Sequence, residues 1–128
     1  MAVVVAAAVG AGCVTVSMHD TRPVEILVTS TATQSPVPSA TVKIEYSVWN
    51  SYGVLYKLRV PEPAEGATDS TGRVTLPLAT FSERIWVGVT GARPFEIDAS
   101  AVSEGSTKVA YDGTGSVPMY NVRFTPKR

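Results

Sequence analysis

From Val24 onward, apolar residues recur at every second position, and this alternation constrains the chain more than any other feature. Val24, Ile26 and Val28 share one parity, as do Val42, Ile44, Tyr46 and Val48, and then Val54, Tyr56, Leu58 and Val60. Val74, Leu76 and Leu78 follow, then Ile85, Val87 and Val89, and finally Tyr120, Val122 and Phe124. Weaker runs place Phe95 with Ile97 and Ala99, and Val109 with Tyr111. Side chains of a strand alternate between its two faces, so a period of two marks strands with one buried face. A set of such strands is satisfied by two sheets packed face to face. Turn chemistry separates the runs. Pro36 and Pro38 interrupt residues 34–39, residues 61–66 form a Pro- and Gly-bearing loop, and Asp69-Ser70-Thr71-Gly72 and Asp112-Gly113-Thr114-Gly115 are tight turns. Only residues 100–108 are compatible with a short helical turn. The sequence predicts one all-β domain over residues 24–128, a sandwich of seven or eight strands.

Composition removes several functions. Hydrophobic residues are 45% of the 128 and charged residues 17%, which excludes a disordered chain. Eleven basic side chains balance eleven acidic ones without a basic face, so no nucleic-acid partner is expected. The single Cys forbids an internal disulfide, and one His with one Cys is too few for a zinc site. A Ser-His-Asp triad would have to recruit His19 from the N-terminal segment. The acidic residues Glu62, Glu65, Asp69, Asp98 and Asp112 follow no calcium-loop spacing, and Asp69 and Asp112 stand where turns favour Asp. No catalytic residue, metal or cofactor is expected.

The address is read from the N-terminus. Residues 1–12 are uncharged and apolar, too few to cross a bilayer as a helix but suited to the core of a signal peptide. Gly10-Ala11-Gly12-Cys13 resembles the lipobox of bacterial lipoproteins, with small residues at Ala11 and Gly12 and with Gly10 where that family favours an aliphatic side chain. The resemblance implies cleavage before Cys13, a lipid on its thiol and retention at a membrane of the cell envelope. An ordinary signal peptide and a buried strand are the other two readings of the segment. Residues 13–23 are then the lipidated Cys with a tether, or with a first edge strand ending near Pro23.

Three further segments resemble a known domain family. Pro36-Val37-Pro38-Ser39-Ala40-Thr41-Val42-Lys43-Ile44 is similar to the opening of carboxypeptidase regulatory-like domains, Thr68-Asp69-Ser70-Thr71-Gly72-Arg73-Val74-Thr75-Leu76 to their Thr-Asp-x-x-Gly hairpin, and Arg84-Ile85-Trp86-Val87-Gly88-Val89 to the strand that follows. The resemblance covers residues 24–89 and implies a Greek-key sandwich of transthyretin-like or Ig-like form, used as an accessory or scaffolding module. Enzymes with related sandwiches rely on more than one His, which this chain lacks.

Aromatic residues supply the remaining hint. Trp49 and Tyr52 fall in or beside a loop, and Trp86 points outward by strand parity. Exposed rings stack on sugars or anchor protein partners. The expected function is therefore a non-catalytic structural or protein-interaction module of an exported envelope lipoprotein. The alternative is a carbohydrate- or peptide-binding module using Trp49, Tyr52 and Trp86. The partners are the membrane, through the lipid anchor, and an envelope protein or polysaccharide.

Overall fold

The computed structural model describes residues 14–16, 21–47, 56–58, 62–79 and 84–127. Eight strands build two four-stranded antiparallel sheets packed as a sandwich. One sheet contains β2 (Thr21–Ser30), β6 (Arg73–Ala79), β9 (Ser106–Tyr111) and β10 (Pro118–Pro126) in the order β6-β2-β10-β9. The other contains β3 (Thr41–Ser47), β5 (Ala64–Ala67), β7 (Arg84–Val89) and β8 (Phe95–Ile97) in the order β5-β3-β7-β8. Two short segments, β1 (Val14–Val16) and β4 (Tyr56–Leu58), pair with each other in parallel.

The alternation seen in the sequence selects the inward face. Val24, Ile26, Val28, Leu76, Leu78, Val122 and Phe124 from one sheet meet Val42, Ile44, Ile85, Val87, Val89 and Ile97 from the other in one buried cluster. Each such side chain contributes about 1.5–3 kcal/mol by leaving water. Phe124 and Phe95 meet edge to face across the sandwich, with ring centroids 6.4 Å apart. The short helix α1 (Ala99–Ser103) turns Ala101 and Val102 into the same core and carries the chain from β8 to β9.

Two tyrosines tie the sheets together with their hydroxyls. The Tyr46 hydroxyl accepts the Ala79 N–H at 3.0 Å, and the Tyr120 hydroxyl donates to the Thr90 carbonyl at 3.2 Å. The first bond links β3 to β6 and the second links β10 to the turn that follows β7, so directional bonds as well as packing hold the two layers together. Burial of the Tyr46 ring raises its pKa above the usual tyrosine value, partly countered by the Ala79 bond.

The strand β2 begins at Thr21, three residues before the boundary expected from the sequence, and it contains Pro23. Pro23 pairs with Pro77 of β6. Val28 N–H donates to the Gly72 carbonyl, and hydrogen-bonded pairs alternate along an antiparallel ladder, so the Pro23–Pro77 pair is a non-hydrogen-bonded one. Neither missing N–H is therefore needed between β2 and β6. That of Pro77 lies on the outer edge of the sheet, where proline protects an edge strand.

One parity assignment is reversed. Val109 and Tyr111 share a face as expected, but it is the solvent face, and Ala110 alone of this group is buried. The register with β10 decides it: Ala110 pairs with Tyr120 and Lys108 with Val122, whose side chains point inward. The even residues of β9 consequently follow them, although the larger apolar side chains are the odd ones.

Candidate functional site

The two Asp-x-Thr-Gly turns share one construction. Asp69 Oδ1 accepts the Thr71 N–H (2.8 Å), the Thr71 hydroxyl (2.6 Å) and the Arg73 N–H (3.1 Å). Asp112 Oδ1 accepts the Thr114 N–H (3.1 Å), the Thr114 hydroxyl (2.6 Å) and the Ser116 N–H (3.2 Å). Gly72 and Gly115 occupy the same place in each turn with φ of 78° and 77°, a region open to glycine at little cost. These donors, led in each case by the threonine hydroxyl, hold both carboxyl groups below the usual aspartate pKa. The two carboxylates that the sequence assigns to turns serve in turns. Among the described residues no three His, Cys, Asp or Glu side chains converge.

The first turn also anchors the loop before β3. Thr68 is 4% exposed, and its hydroxyl donates to the Val37 carbonyl at 2.6 Å and accepts the Ala40 N–H at 2.9 Å. Ser39 N–H donates to the Thr68 carbonyl, and Thr68 N–H to the Ala40 carbonyl. A Cβ on Gly72 would lie 2.7 Å from the Val28 carbonyl oxygen and 2.9 Å from Pro36 Cβ. Each recognisable residue of Thr-Asp-x-x-Gly thus plays a separate role. Thr68 holds the neighbouring loop, Asp69 closes the turn, and Gly72 lets β2 and Pro36 approach.

Of the residues singled out for binding, Trp86 is described, whereas Cys13, Trp49 and Tyr52 lie outside the described residues. Trp86 sits on the outer face of β7, half-buried, between buried Ile85 and Val87. Its register partners are Glu45 and Glu96. Glu45 pairs with Lys43 at 3.6 Å and Glu96 with Arg84 at 3.6 Å, so two surface ion pairs flank the indole. An indole in that setting can stack against a flat or extended ligand.

A second surface is not singled out by the sequence. Among the described residues the exposed large hydrophobics are Val109, Tyr111 and Val117, at 38%, 43% and 56% exposure, and all three belong to the β9–β10 hairpin. Beside them a cleft of about 160 Å³ is lined by Arg93, Pro94, Phe95, Val109, Tyr111 and Gly115. Asp112 shapes the hairpin tip, and the Arg93 N–H donates to the Tyr111 carbonyl, fastening the loop before β8 to the end of β9. The sequence signal for this surface is the Val109–Tyr111 alternation, which read alone points to the core. A larger groove of about 320 Å³ lies at the other end of β9, between Glu104 and Arg123. The buried hydroxyl oxygen of Ser106 has no hydrogen-bond partner among the described residues.

Compared with protein-family models, with curated proteins and with solved structures, the chain matches none.

Proposed function

We propose that the chain is a non-catalytic module of the bacterial cell envelope, anchored by a lipid on Cys13, that acts by binding a protein partner through the β9–β10 hairpin. The observation that carries this reading is the concentration of exposed apolar side chains, Val109, Tyr111 and Val117, on that one hairpin. Clustered exposed apolar groups mark interaction surfaces. The lipobox-like Gly10-Ala11-Gly12-Cys13 supports the envelope address. The anatomy of the Thr68–Gly72 turn supports a finer assignment of the sandwich to the carboxypeptidase regulatory-like, transthyretin-like group. In this reading Cys13 serves as an anchor and the two turn aspartates serve the fold.

The test is photo-crosslinking in a bacterial host that produces the full chain. A benzophenone amino acid at Val117 is expected to yield discrete crosslinked protein bands, and the same probe at Thr75, on the outer face of the opposite edge strand, none. Equal crosslinking from both positions, or none from Val117, would remove the hairpin as the partner surface.

A second reading is favoured by one observation, the outward and half-buried Trp86 between its flanking ion pairs. It assigns carbohydrate or peptide binding to Trp86 with Trp49 and Tyr52. Titration with soluble polysaccharide should then quench or shift indole emission, and Trp86→Ala should abolish the response. Emission that polysaccharide leaves unchanged would reject it.

A further inference from the structure

Resting on the hairpin reading above, we infer that β9 receives an extended acidic peptide, which adds as a fifth strand to the β6-β2-β10-β9 sheet and places a carboxylate on Arg93. The first observation is main-chain geometry. The Tyr111 carbonyl is taken by the Arg93 N–H on the side of β9 away from β10. N–H and C=O of one residue point to the same side of a strand, and sides alternate. The N–H and C=O groups of Thr107 and Val109, with the N–H of Tyr111, therefore face outward along the edge. Such a row is the template to which an added strand bonds.

The second observation is how the other edges differ. β6 carries Pro77 with its missing N–H on the open side. β5 has four residues, and β8 has three and follows Pro94. β9 has six residues and no proline. Among the described edges of the two sheets it is the longest without proline, with Val109 and Tyr111 exposed along it and only its Tyr111 end engaged, by the Arg93 N–H and the Ala92–Asp112 bridge.

The third observation is charge, which selects the occupant. The ion pairs of the described residues use Lys43, Arg73, Arg84 and Lys127, and leave Arg22, Arg93, Lys108 and Arg123 without a carboxylate partner. Arg22, on β2, donates to the Lys127 carbonyl. The other three adjoin β9: Arg93 lines the cleft with Tyr111, Lys108 lies within the strand, and Arg123 pairs with Thr107. The nearby acids are Glu104, at the start of the strand, and Asp112, whose carboxylate is engaged in its own turn. The edge is cationic beside an apolar cleft. A second copy of the chain would bring the same three cations against it, whereas an extended peptide with an acidic residue near one end would neutralise them. Arg suits such a carboxylate because its planar fork can take both oxygens.

The experiment is selection of a random nonapeptide display library on the full chain, followed by affinity measurements on synthetic copies of the enriched peptides. Expected are sequences that alternate β-branched residues and share an acidic position. They should bind Val109→Pro about tenfold or more weakly, because that change deletes an edge N–H while sparing the ladder to β10. Arg93→Glu should exchange the acidic preference for a basic one, which gives an independent readout if Val109→Pro does not fold. Peptides that bind both variants as well as the parent chain would overturn strand addition while leaving the hairpin reading intact. A concentration-dependent dimer that Val109→Pro dissolves would overturn the peptide in favour of a second copy. Failure of any peptide to enrich would overturn it as well. The Val117 crosslink tests the hairpin reading separately from all of these outcomes.

Discussion

Replacing Thr68 by Val changes one hydroxyl to a methyl and little else, which makes it a sharp probe of how the sandwich is closed. The Thr68 hydroxyl is the acceptor for the buried Ala40 N–H and a donor to the Val37 carbonyl. Ala40 is 5% exposed, so water has little access to its N–H after the change. An orphaned buried donor costs about 1–3 kcal/mol. The part-buried Val37 carbonyl can turn to water and adds less. The new methyl group returns under about 1 kcal/mol of apolar transfer. The net loss is about 2 kcal/mol, or a fall in Tm of roughly 5–10 °C for a domain of this size. Thr68→Ser keeps the hydroxyl and deletes a methyl, at about 1 kcal/mol. Urea denaturation followed by far-UV circular dichroism, with unchanged m-values, should rank the parent above Ser and Ser above Val. A valine variant as stable as the parent would refute the role assigned to this hydroxyl, because apolar burial would then outweigh the two hydrogen bonds.

Other substitutions probe neighbouring parts of the sandwich. Gly72→Ala should destabilise by about 2–4 kcal/mol, since it combines an unfavourable φ of 78° with a Cβ 2.7 Å from a backbone oxygen; denaturation within about 0.5 kcal/mol of the parent would contradict that packing. Tyr46→Phe leaves the Ala79 N–H without its acceptor and should cost about 1–2 kcal/mol. The raised Tyr46 pKa implies stability that is present below the unfolded tyrosine value near ~10 and is lost as pH rises through the folded value; an alkaline unfolding midpoint unchanged in the Phe variant would argue against it. The lowered values of Asp69 and Asp112 have the opposite sign: their contribution is present above the unfolded value near ~3.9 and lost as pH falls through the folded one. Carboxyl chemical shifts followed by NMR should place both groups below ordinary aspartate, and a value at or above it would disprove the turn geometry.

The architecture is legible in the sequence because each strand buries one face. Parity alone assigns Val24, Ile26, Val28, Val42, Ile44, Ile85, Val87, Val122 and Phe124 to the interior, and all are buried. The turns are legible through Asp69, Gly72, Asp112 and Gly115, whose side-chain bonding and positive φ are local properties. Parity fails in β9 because the face of an edge strand is set by register with its neighbour rather than by its own hydrophobicity. Ala110 is a weak apolar signal beside Val109 and Tyr111, and the irregular register between Pro118 and Tyr120 of β10 is not readable from spacing. The start of β2 lies earlier than expected because Pro23 looks like a strand terminator, although a proline opposite Pro77 in a non-hydrogen-bonded pair breaks no ladder bond. The free edge of β9 is a consequence of strand order and has no local signature at all. Trp86 is outward by parity, and it lies on the outer face between Glu45 and Glu96.

The proposed binding surface on the β9–β10 hairpin and the proposed envelope address belong together, because the address determines which partners that hairpin can meet. The most direct test is intact mass spectrometry of the full chain produced in a bacterial host and extracted from the membrane fraction. The expected product is a polypeptide that has lost residues 1–12 and carries a diacylglyceryl group and an N-terminal acyl chain on Cys13. A chain that retains Met1, or one cleaved elsewhere with an unmodified Cys13 thiol, would contradict the envelope anchor.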